Sequence, residues 1–281
     1  MIVEAQVRVA CVQMRSGIDP AQNVEVAADL IRAAAADGAK LVATPEMTIA
    51  LDRNSERLRK NLNAWGNARE NSIFAELAEA LSIHLLIGSS PVPIADGRIA
   101  NRACLFGAEG EIVATYDKIH MFDVSLPNGE SWRESAIYAP GERGVIARTP
   151  LGLAGLTICY DVRFPVLFRR LAQAGAVAFF VPAAFTRQTG EAHWSTLLRA
   201  RAIENGAFVI APGQGGRHED GRETYGHSMI IDPWGQVLAE LDNDEPGYIV
   251  ADLSPAAALD ARGRIPSLGL DRAAEVDILG R

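Results

Sequence analysis

The sequence predicts an α/β fold in which two mixed β-sheets pack face to face and helices cover their outer sides, a four-layer αββα sandwich. Three observations lead to this prediction. Predicted strands alternate with amphipathic helices, as in α/β folds. Hairpin-like strand pairs end each half of the 281-residue chain, which makes each sheet mixed rather than purely parallel. The two halves also follow the same order of elements, and two sheets with helices on one face each would bury their bare faces together.

The first half opens with a strand rich in β-branched residues, followed by a helix whose apolar residues recur every three or four positions. In this helix Val24, Ala27 and Ile31 are apolar, and Gly38 stands where a helix C-terminus is expected. A second helix is predicted near 71–82. The predicted strands are 6–14, 40–47, 84–90, 98–107 and 111–118, of which the last two form a hairpin.

The second half repeats this order of elements without repeating the sequence. Strands are predicted at 153–160, 176–185, 207–214 and 248–253, helices at 165–175 and 191–206, and a hairpin at 224–241. No low-complexity linker separates the halves. We therefore predict a single domain over residues 1–281, with residues 255–281 as a C-terminal surface arm because they show little periodicity.

Composition and charge limit the kind of partner. The chain has 27 lysine and arginine residues against 35 aspartate and glutamate residues, a formal net charge of −8. The basic residues are scattered, so we expect a small-molecule substrate and no nucleic acid partner. No apolar run approaches the ~18 residues of a membrane helix, and Glu4 stands where a signal peptide carries basic charge. These features predict a cytoplasmic protein that does not bind membranes.

Three cysteines are too few and too widely spaced for a disulfide framework or a zinc knuckle, so each needs its own explanation. Cys11 and Cys104 lie inside predicted strands and are interpreted as core residues. Cys159 ends an apolar strand and precedes a turn and a helix that starts at Pro165, the geometry that presents a nucleophile at a sheet edge near the positive end of a helix. Its position alone fits a core residue and a nucleophile equally well.

Two charged residues also follow predicted strands. Glu46 comes after a mostly apolar run, where partial desolvation would raise the pKa of its carboxyl group and suit it to accept a proton. Lys118 would lower the pKa of a neighbouring thiol and stabilise a developing oxyanion. Taken singly, a glutamate at a strand end and a lysine entering a loop are more commonly solvated surface charges. The residues by themselves do not show that the three groups meet.

No metal site or cofactor site is predicted. The five histidines form no HExxH or HxH pattern, and no carboxylates stand at metal-ligand spacing. The glycine-rich run at 212–221 is not followed by a helix, so it is interpreted as a loop rather than a phosphate cradle.

Read together and in chain order, "TPEM", "YDKIHMFD" and "TICYDVRFP" closely resemble the three signatures of the nitrilase superfamily of carbon-nitrogen hydrolases. The resemblance extends over nearly the whole chain. It implies the αββα sandwich and a cysteine mechanism without metal or cofactor. It assigns Glu46 as general base, Cys159 as nucleophile and Lys118 as oxyanion stabiliser, with Glu134 in "WRES" positioning the lysine. The backbone N–H of Tyr160 would be the second oxyanion donor.

Within the superfamily, residues 185–235 most resemble amidases that act on deaminated glutathione, with the ω-amidases that hydrolyse α-ketoglutaramate as the neighbouring branch. Nitrile hydrolysis and N-carbamoyl hydrolysis use the same triad and stay open. Two different classes are also open on the residues alone, a metal-dependent amidohydrolase and a non-catalytic binding protein. The resemblance further implies a homodimer that pairs near the helix after the cysteine.

The substrates of these branches are anionic, so the resemblance implies fixed cations in the pocket. Arginine suits a carboxylate because its guanidinium group can donate two parallel hydrogen bonds. The candidates are Arg163, Arg187 and Arg217, each of which also fits a solvated surface arginine. One departure from the family pattern is Val166, which stands where related sequences commonly have glutamate after "RFP".

Overall fold

A computed structural model describes residues 6–95, 97–127 and 129–279. In chain order the strands are β1 (Val7–Gln13), β2 (Leu41–Ala43), β3 (His84–Pro93), β4 (Ile99–Phe106), β5 (Ile112–Asp117), β6 (Asp123–Ser125), β7 (Ser131–Arg133), β8 (Tyr138–Ala139), β9 (Val145–Thr149), β10 (Gly152–Leu156), β11 (Ala178–Phe180), β12 (Phe208–Ala211), β13 (Gly215–Arg217), β14 (Glu223–Tyr225), β15 (Met229–Ile231), β16 (Val237–Glu240) and β17 (Gly247–Leu253). The helices are α1 (Pro20–Ala36), α2 (Ser55–Trp65), α3 (Asn67–Leu81), α4 (Pro165–Gln173), α5 (Arg187–Asn205) and α6 (Pro255–Arg264).

Two mixed sheets with related topology organise these elements. The first has the order β17-β1-β2-β3-β4-β5, with β8 beside β4, and the second has the order β16-β15-β12-β11-β10-β9. At the centre of each, three strands run parallel, β1-β2-β3 in one and β10-β11-β12 in the other. Antiparallel strands flank them on both sides. Both sheets are therefore mixed, as predicted from the terminal hairpins.

The side chains of β1 show how the layers form. Val9 and Cys11 point into a buried cluster that also contains Phe179 and Phe180 of β11, so this cluster joins the two sheets. Ala10 and Val12 point the other way, into a cluster with residues of α1 and α3. Successive residues of a strand face opposite sides, so a strand buried on both faces is apolar over most of its length. With α4 and α5 packed on the second sheet, the predicted αββα sandwich is confirmed.

Three predicted strands end early, and each of them ends beside the site described below. The strand predicted at 40–47 ends at Ala43, the one at 153–160 ends at Leu156, and the one at 176–185 ends at Phe180. Pro45 and Pro182 explain two of these ends, because proline has no N–H for the ladder. The residues after each strand are therefore free to turn over the edge of the sheet.

The C-terminal segment differs from the predicted surface arm 255–281. Residues 255–264 form α6, whose Ala258 is fully buried in the cluster that joins the sheets. Arg262 Nε donates to Asn205 O at 3.0 Å, which ties α6 to the end of α5. Residues 271–279 are exposed and have no regular structure, whereas residues 280 and 281, like Glu4 near the N-terminus, lie outside the described residues. Across the described ranges, no helix is both long and apolar enough to cross a membrane.

Candidate active site

Three strand ends bring the predicted catalytic residues together. Glu46 follows β2, Lys118 directly follows β5, and Cys159 follows β10 of the facing sheet. Ligand sites of α/β sheets form at the carboxyl ends of parallel strands. All three side chains line one cavity of about 270 Å³, although each residue is itself buried. The packing of the two sheets therefore joins groups that lie far apart in the sequence.

Lys118 is the centre of the charged floor of this cavity. Its Nζ donates to Glu46 Oε1 at 2.9 Å and to Glu134 Oε1 and Oε2 at 3.0 and 2.9 Å. The side chain is only 2% exposed. Burial by itself lowers the pKa of an ammonium group, but the two carboxylates outweigh it and hold the pKa of Lys118 well above its ordinary value. Lys118 is therefore a permanent cation.

Glu46 is a carboxylate with four interactions of its own. Its Oε1 accepts from Lys118 and from Asn101 Nδ2 at 2.9 Å, and its Oε2 accepts from Ala184 N at 2.8 Å. Burial raises the pKa of this carboxyl group, but Lys118 and the hydrogen bonds, including one to Cys159, outweigh burial and lower the pKa below its ordinary value. The sequence-based expectation of a raised pKa is therefore wrong. Glu46 is ionised and available as a base at neutral pH.

Cys159 begins a 3₁₀ turn, Cys159–Arg163, that leads into α4. Its φ of +50° lies in the left-handed region, a strained conformation for a residue with a Cβ atom, and its N–H donates to Pro182 O at 2.8 Å. Burial raises the pKa of the thiol well above its ordinary value and Glu46 adds to this, whereas Lys118 acts in the opposite direction. The resting group is a thiol hydrogen-bonded to Glu46 rather than the low-pKa thiolate that the sequence suggested.

The cysteine turn is anchored by a fully buried aspartate. Asp161 Oδ2 accepts from Ile158 N at 2.9 Å and from Tyr116 Oη at 2.7 Å. Its Oδ1 accepts from His120 N at 3.1 Å and lies 2.7 Å from His120 Nδ1. Tyr116 and His120 flank Lys118 in the sequence. Asp161 thus fixes the cysteine turn against the segment that carries the lysine.

Glu134 lies on a second 3₁₀ turn, Glu134–Ala136, after β7. Besides Lys118, it accepts hydrogen bonds from Phe122 N at 2.6 Å and from Asn101 Nδ2 at 3.2 Å. Asn101 therefore donates to both carboxylates that hold the lysine. Sequence reasoning missed Asn101. The available signal was a polar residue, fully buried here, in a mostly apolar strand.

Gly88 allows the site to be this compact. A Cβ atom at this position would lie 2.0 Å from Thr44 O, 2.7 Å from Pro45 O and 2.4 Å from Pro182 Cβ. The first two atoms belong to the loop that carries Glu46, and Pro182 accepts the hydrogen bond from Cys159 N. Any side chain at Gly88 would push these two loops apart.

Aromatic and apolar side chains form the walls of the cavity above this floor. They are Met47, Leu51, Phe122, Trp132, Ile137, Tyr138, Tyr160, Ala184 and Phe185. Tyr160, whose backbone N–H is next to Cys159 in the turn, is one of these wall residues. Arg53, Arg133 and Arg222 also line the cavity. The site thus combines a charged floor, apolar walls and cations.

Comparison with known proteins agrees with this geometry. Residues 8–262 match the family described as carbon-nitrogen hydrolase. This chain belongs to the carbon-nitrogen hydrolase family. The family acts on non-peptide carbon-nitrogen bonds, and the chain is a cysteine-dependent amidase. The resemblance to the nitrilase superfamily, inferred from the three motifs, is confirmed.

Three proteins illustrate how similar the relatives of this carbon-nitrogen hydrolase are. A deaminated glutathione amidase of Synechocystis is 41% identical over 263 residues, which cover 92% of this chain and 96% of that protein. The C. elegans NitFhit protein superposes with a TM-score of 0.90 at 32% identity, over 96% of this chain and 66% of that one. An amidase of Nesterenkonia, from the nitrilase superfamily, superposes with a TM-score of 0.75 at 28% identity, over 92% of this chain and 98% of that one.

The three arginines predicted to bind substrate lie outside the residues that line the cavity of this hydrolase. Arg163 lies behind the cavity wall, where its Nη atoms are 3.3 Å from His193 Nδ1 and its Cζ lies 5.3 Å from the Phe185 ring. Arg187 and Arg217 border a wider outer pocket, and Arg187 Nη2 lies 2.5 Å from Asp244 Oδ2. The arginines that line the cavity are instead Arg53, Arg133 and Arg222.

Two further features of this hydrolase bear on the sequence analysis. Val166, which replaces the commoner glutamate, is 61% exposed at the start of α4 and does not line the cavity, so nothing in the structure links it to substrate choice. In residues 6–95, 97–127 and 129–279, no group of three or more histidine, cysteine, aspartate or glutamate side chains is arranged to hold a metal ion.

Proposed function

We propose that this amidase cleaves the side-chain amide of a small, carboxylate-bearing α-keto acid substrate such as deaminated glutathione, through a thioester on Cys159. The observation that carries the proposal is the buried group in which Lys118 Nζ contacts Glu46 at 2.9 Å while Glu46 also hydrogen-bonds Cys159. A base, a cation and a thiol together supply each group that acyl transfer requires.

The proposed reaction begins with proton transfer. Glu46 accepts the thiol proton as Cys159 Sγ attacks the amide carbon, and the carbonyl oxygen becomes an oxyanion. The Lys118 ammonium group and the Tyr160 N–H stabilise this charge, and one well-placed donor contributes about 3 kcal/mol to such a step. The C–N bond then breaks as Glu46 returns the proton to the leaving nitrogen.

The second half of the reaction consumes water. Glu46 takes a proton from a water molecule that attacks the thioester carbon, and the same oxyanion donors act again. The carboxylic acid leaves, and the proton held by Glu46 returns to Cys159 Sγ. Glu134 takes no proton in this scheme. It positions Lys118, which its two oxygens contact at 2.9 and 3.0 Å.

The substrate proposal has two supports. Several relatives are named deaminated glutathione amidase, at up to 41% identity. The cavity of about 270 Å³ is lined by apolar walls and cationic arginines, which suits a small organic anion. The α-ketoglutaramate of ω-amidases has the same chemical features and is the second candidate. Nitriles and N-carbamoyl compounds follow it.

A substrate panel tests the proposal. We expect deaminated glutathione and α-ketoglutaramate to release amine or ammonia faster than nitriles or N-carbamoyl amino acids of similar size, and the Cys159→Ala variant to lose this activity. The Cys11→Ala variant is the matched control, because Cys11 is buried in the core away from Glu46. Acrylamide adds to the active-site cysteine in a glutamate-to-glutamine mutant of the Nesterenkonia amidase, so we expect it to modify Cys159 before Cys11. Full activity of Cys159→Ala would contradict the proposal.

We further propose a cytoplasmic homodimer that pairs across α4 and α5. Val166 of α4 and Ile203 of α5 are 61% and 51% exposed in the single chain, and these two helices are adjacent. Large apolar side chains exposed near each other indicate a surface that a partner covers. Three free cysteines fit a reducing compartment. Light scattering should give twice the chain mass of 30.1 kDa, and Val166→Glu should give the monomer mass. A monomeric wild type, or its recovery from a membrane fraction, would contradict these assignments.

A further inference from the structure

Trp132 in the cavity wall has a guanidinium group over its ring from each of two loops. Arg53 Cζ and Arg222 Cζ each lie 4.8 Å from the centre of the Trp132 ring. This is cation–π distance, at which the ring attracts a cation without neutralising it. The indole Nε1 donates to Glu130 Oε1 at 2.8 Å, which fixes the plane of the ring. Trp132 therefore holds two cations near each other.

The two arginines stand at the boundary between two spaces. Both line the inner cavity that contains Cys159, and both also line the wider outer pocket bordered by Arg187 and Arg217. A substrate whose amide reaches Cys159 and whose other end extends toward the outer pocket would therefore lie beside Arg53 and Arg222.

The charge at this boundary is only partly balanced. Asp220, whose side chain is fully buried, accepts from Arg222 Nε at 2.8 Å and from the backbone N–H of Arg53 at 2.9 Å. It thus ties the two loops together and neutralises Arg222. In the described ranges, no carboxylate lies within 4.0 Å of the Arg53 guanidinium group. Of the two guanidinium groups, Arg222 is therefore paired with a carboxylate, whereas the charge of Arg53 is not paired in this way.

The floor of the cavity has an excess of negative charge. Glu46 and Glu134 are two carboxylates around the single cation Lys118. A substrate carboxylate is repelled by the floor and attracted by the arginines, whereas a neutral amide is not repelled by the floor. The field across the cavity therefore orients an anionic amide with its amide group toward Cys159 and its carboxylate toward Arg53.

We propose that Arg53 and Arg222, held by Trp132 and Asp220, are the carboxylate-binding group that gives this amidase its preference for anionic amides. The proposal rests on the proposed function, because it names the residues that recognise the acid group of that substrate class. Arg53 supplies the unneutralised charge, and Arg222 and Trp132 set its position. It assigns to these residues the role that the sequence analysis gave to Arg163, Arg187 and Arg217.

A binding measurement tests the proposal without turnover. Glutarate, a dicarboxylate that has no amide bond, is titrated calorimetrically into the Cys159→Ala protein and into the same protein with Arg53→Gln. We expect at least tenfold weaker binding with Arg53→Gln. Arg32→Gln, on the exposed face of α1, removes the same charge elsewhere and serves as the matched control. Equal affinities for all three proteins would overturn the proposal.

A kinetic measurement separates charge recognition from damage to the fold. We compare glutaramate, an anionic amide, with butyramide, a neutral amide of similar length, in the wild type and in Arg53→Gln and Trp132→Leu. In each variant, we expect the fold loss of kcat/KM for glutaramate to be at least ten times the fold loss for butyramide. Most of the loss for glutaramate should come from a higher KM. Equal losses of kcat/KM on both amides would overturn the proposal. If the wild-type protein hydrolyses none of the amides tested, the proposed function is refuted instead.

Discussion

Two buried glutamates in this protein have opposite protonation behaviour. Glu46 in the candidate active site is 4% exposed, and Glu70 on α3 is 5% exposed. Lys118, Asn101 and the Ala184 N–H contact Glu46, and the pKa of its carboxyl group is lowered despite burial. Burial raises the pKa of Glu70 to about 7, which its hydrogen bond from Ser90 Oγ only partly opposes.

The difference shows that partners, and not burial, decide the charge of a carboxylate. Desolvation acts on both groups in the same direction. A cation, two N–H donors and the Cys159 thiol contact Glu46 and overcome desolvation there, whereas one hydroxyl donor does not overcome it at Glu70. At neutral pH Glu46 is therefore ionised and able to act as a base, while Glu70 is about half protonated and sits outside the site.

The largest expected effect is on the rate of catalysis. Glu46→Gln removes the proposed base but keeps the size of the side chain, and we expect kcat to fall by about 10³-fold, which is within the range that a general base contributes. Glu70→Gln is the matched control and should leave kcat within about twofold. Steady-state kinetics on the best substrate of the panel measure both. Similar losses in the two variants would contradict the different roles of these glutamates.

The next effect concerns the stability of the charged floor. Lys118→Met removes the cation and leaves the buried carboxylates of Glu46 and Glu134 without their common partner. Breaking a buried ion pair in this way costs about 3–5 kcal/mol of unfolding free energy. Urea unfolding of the variant and the wild type measures the loss.

A second substitution checks the cause of that loss. Adding Glu134→Gln to Lys118→Met removes one of the two unpaired charges, so we expect part of the stability to return. The alternative is that Glu134→Gln lowers the unfolding free energy of Lys118→Met by as much as it lowers that of the wild type. That result would mean that the two residues act independently, and it would contradict this explanation.

The smallest effect is a difference in pH dependence. The folded-state pKa of Glu70 is raised to about 7 from an ordinary 4.5, so the folded protein binds more protons than the unfolded chain between these values. The stabilisation is fully present below pH 4.5 and is lost as the pH rises to about 7. From pH 5 to pH 8, we expect the unfolding free energy of the wild type to fall by about 2 kcal/mol relative to Glu70→Gln.

Glu46 should show the opposite sign in a different pH range. Its lowered pKa contributes stability that is present above pH 4.5 and is lost as the pH falls below that value. Urea unfolding of the wild type, Glu70→Gln and Glu46→Gln at several pH values measures both slopes. A wild-type curve parallel to that of Glu70→Gln between pH 5 and pH 8 would show that Glu70 is ionised throughout.

Local sequence patterns predicted most of the fold because the layers depend on local periodicity. The strands around β1, β3, β4 and β17 and helix α1 follow directly from apolar runs or three-to-four spacing. Helix α2 was missed because only Leu58 and Leu62 of its eleven residues are buried, too few to give a periodic pattern. The buried part of α6 was missed because its inward positions are alanines rather than large apolar residues.

The sequence predicted which residues meet at the candidate site but not their electrostatics. Glu46, Lys118 and Cys159 were predicted because three motifs occur in the right order, and the structure brings their side chains to one cavity. The signs of the pKa shifts of Glu46 and Cys159 were missed because they depend on burial and on contacts that only the folded chain makes. Burial and Glu46 raise the pKa of Cys159, whereas Lys118 and its hydrogen bond lower that of Glu46. Arg53 and Arg222 were missed for the same reason, since only the folded chain brings their loops to Trp132.

The central claim is that Glu46 activates Cys159 to form a covalent thioester, and rapid quenching followed by peptide mass spectrometry tests it most directly. In the wild type mixed with deaminated glutathione or α-ketoglutaramate, we predict the acyl mass on the peptide that contains Cys159, removable by hydroxylamine. In Glu46→Gln the rate of appearance of this adduct should fall by the same factor as kcat. Hydrolysis that proceeds at the wild-type rate with no adduct on Cys159, or with the adduct on another residue, would contradict the account.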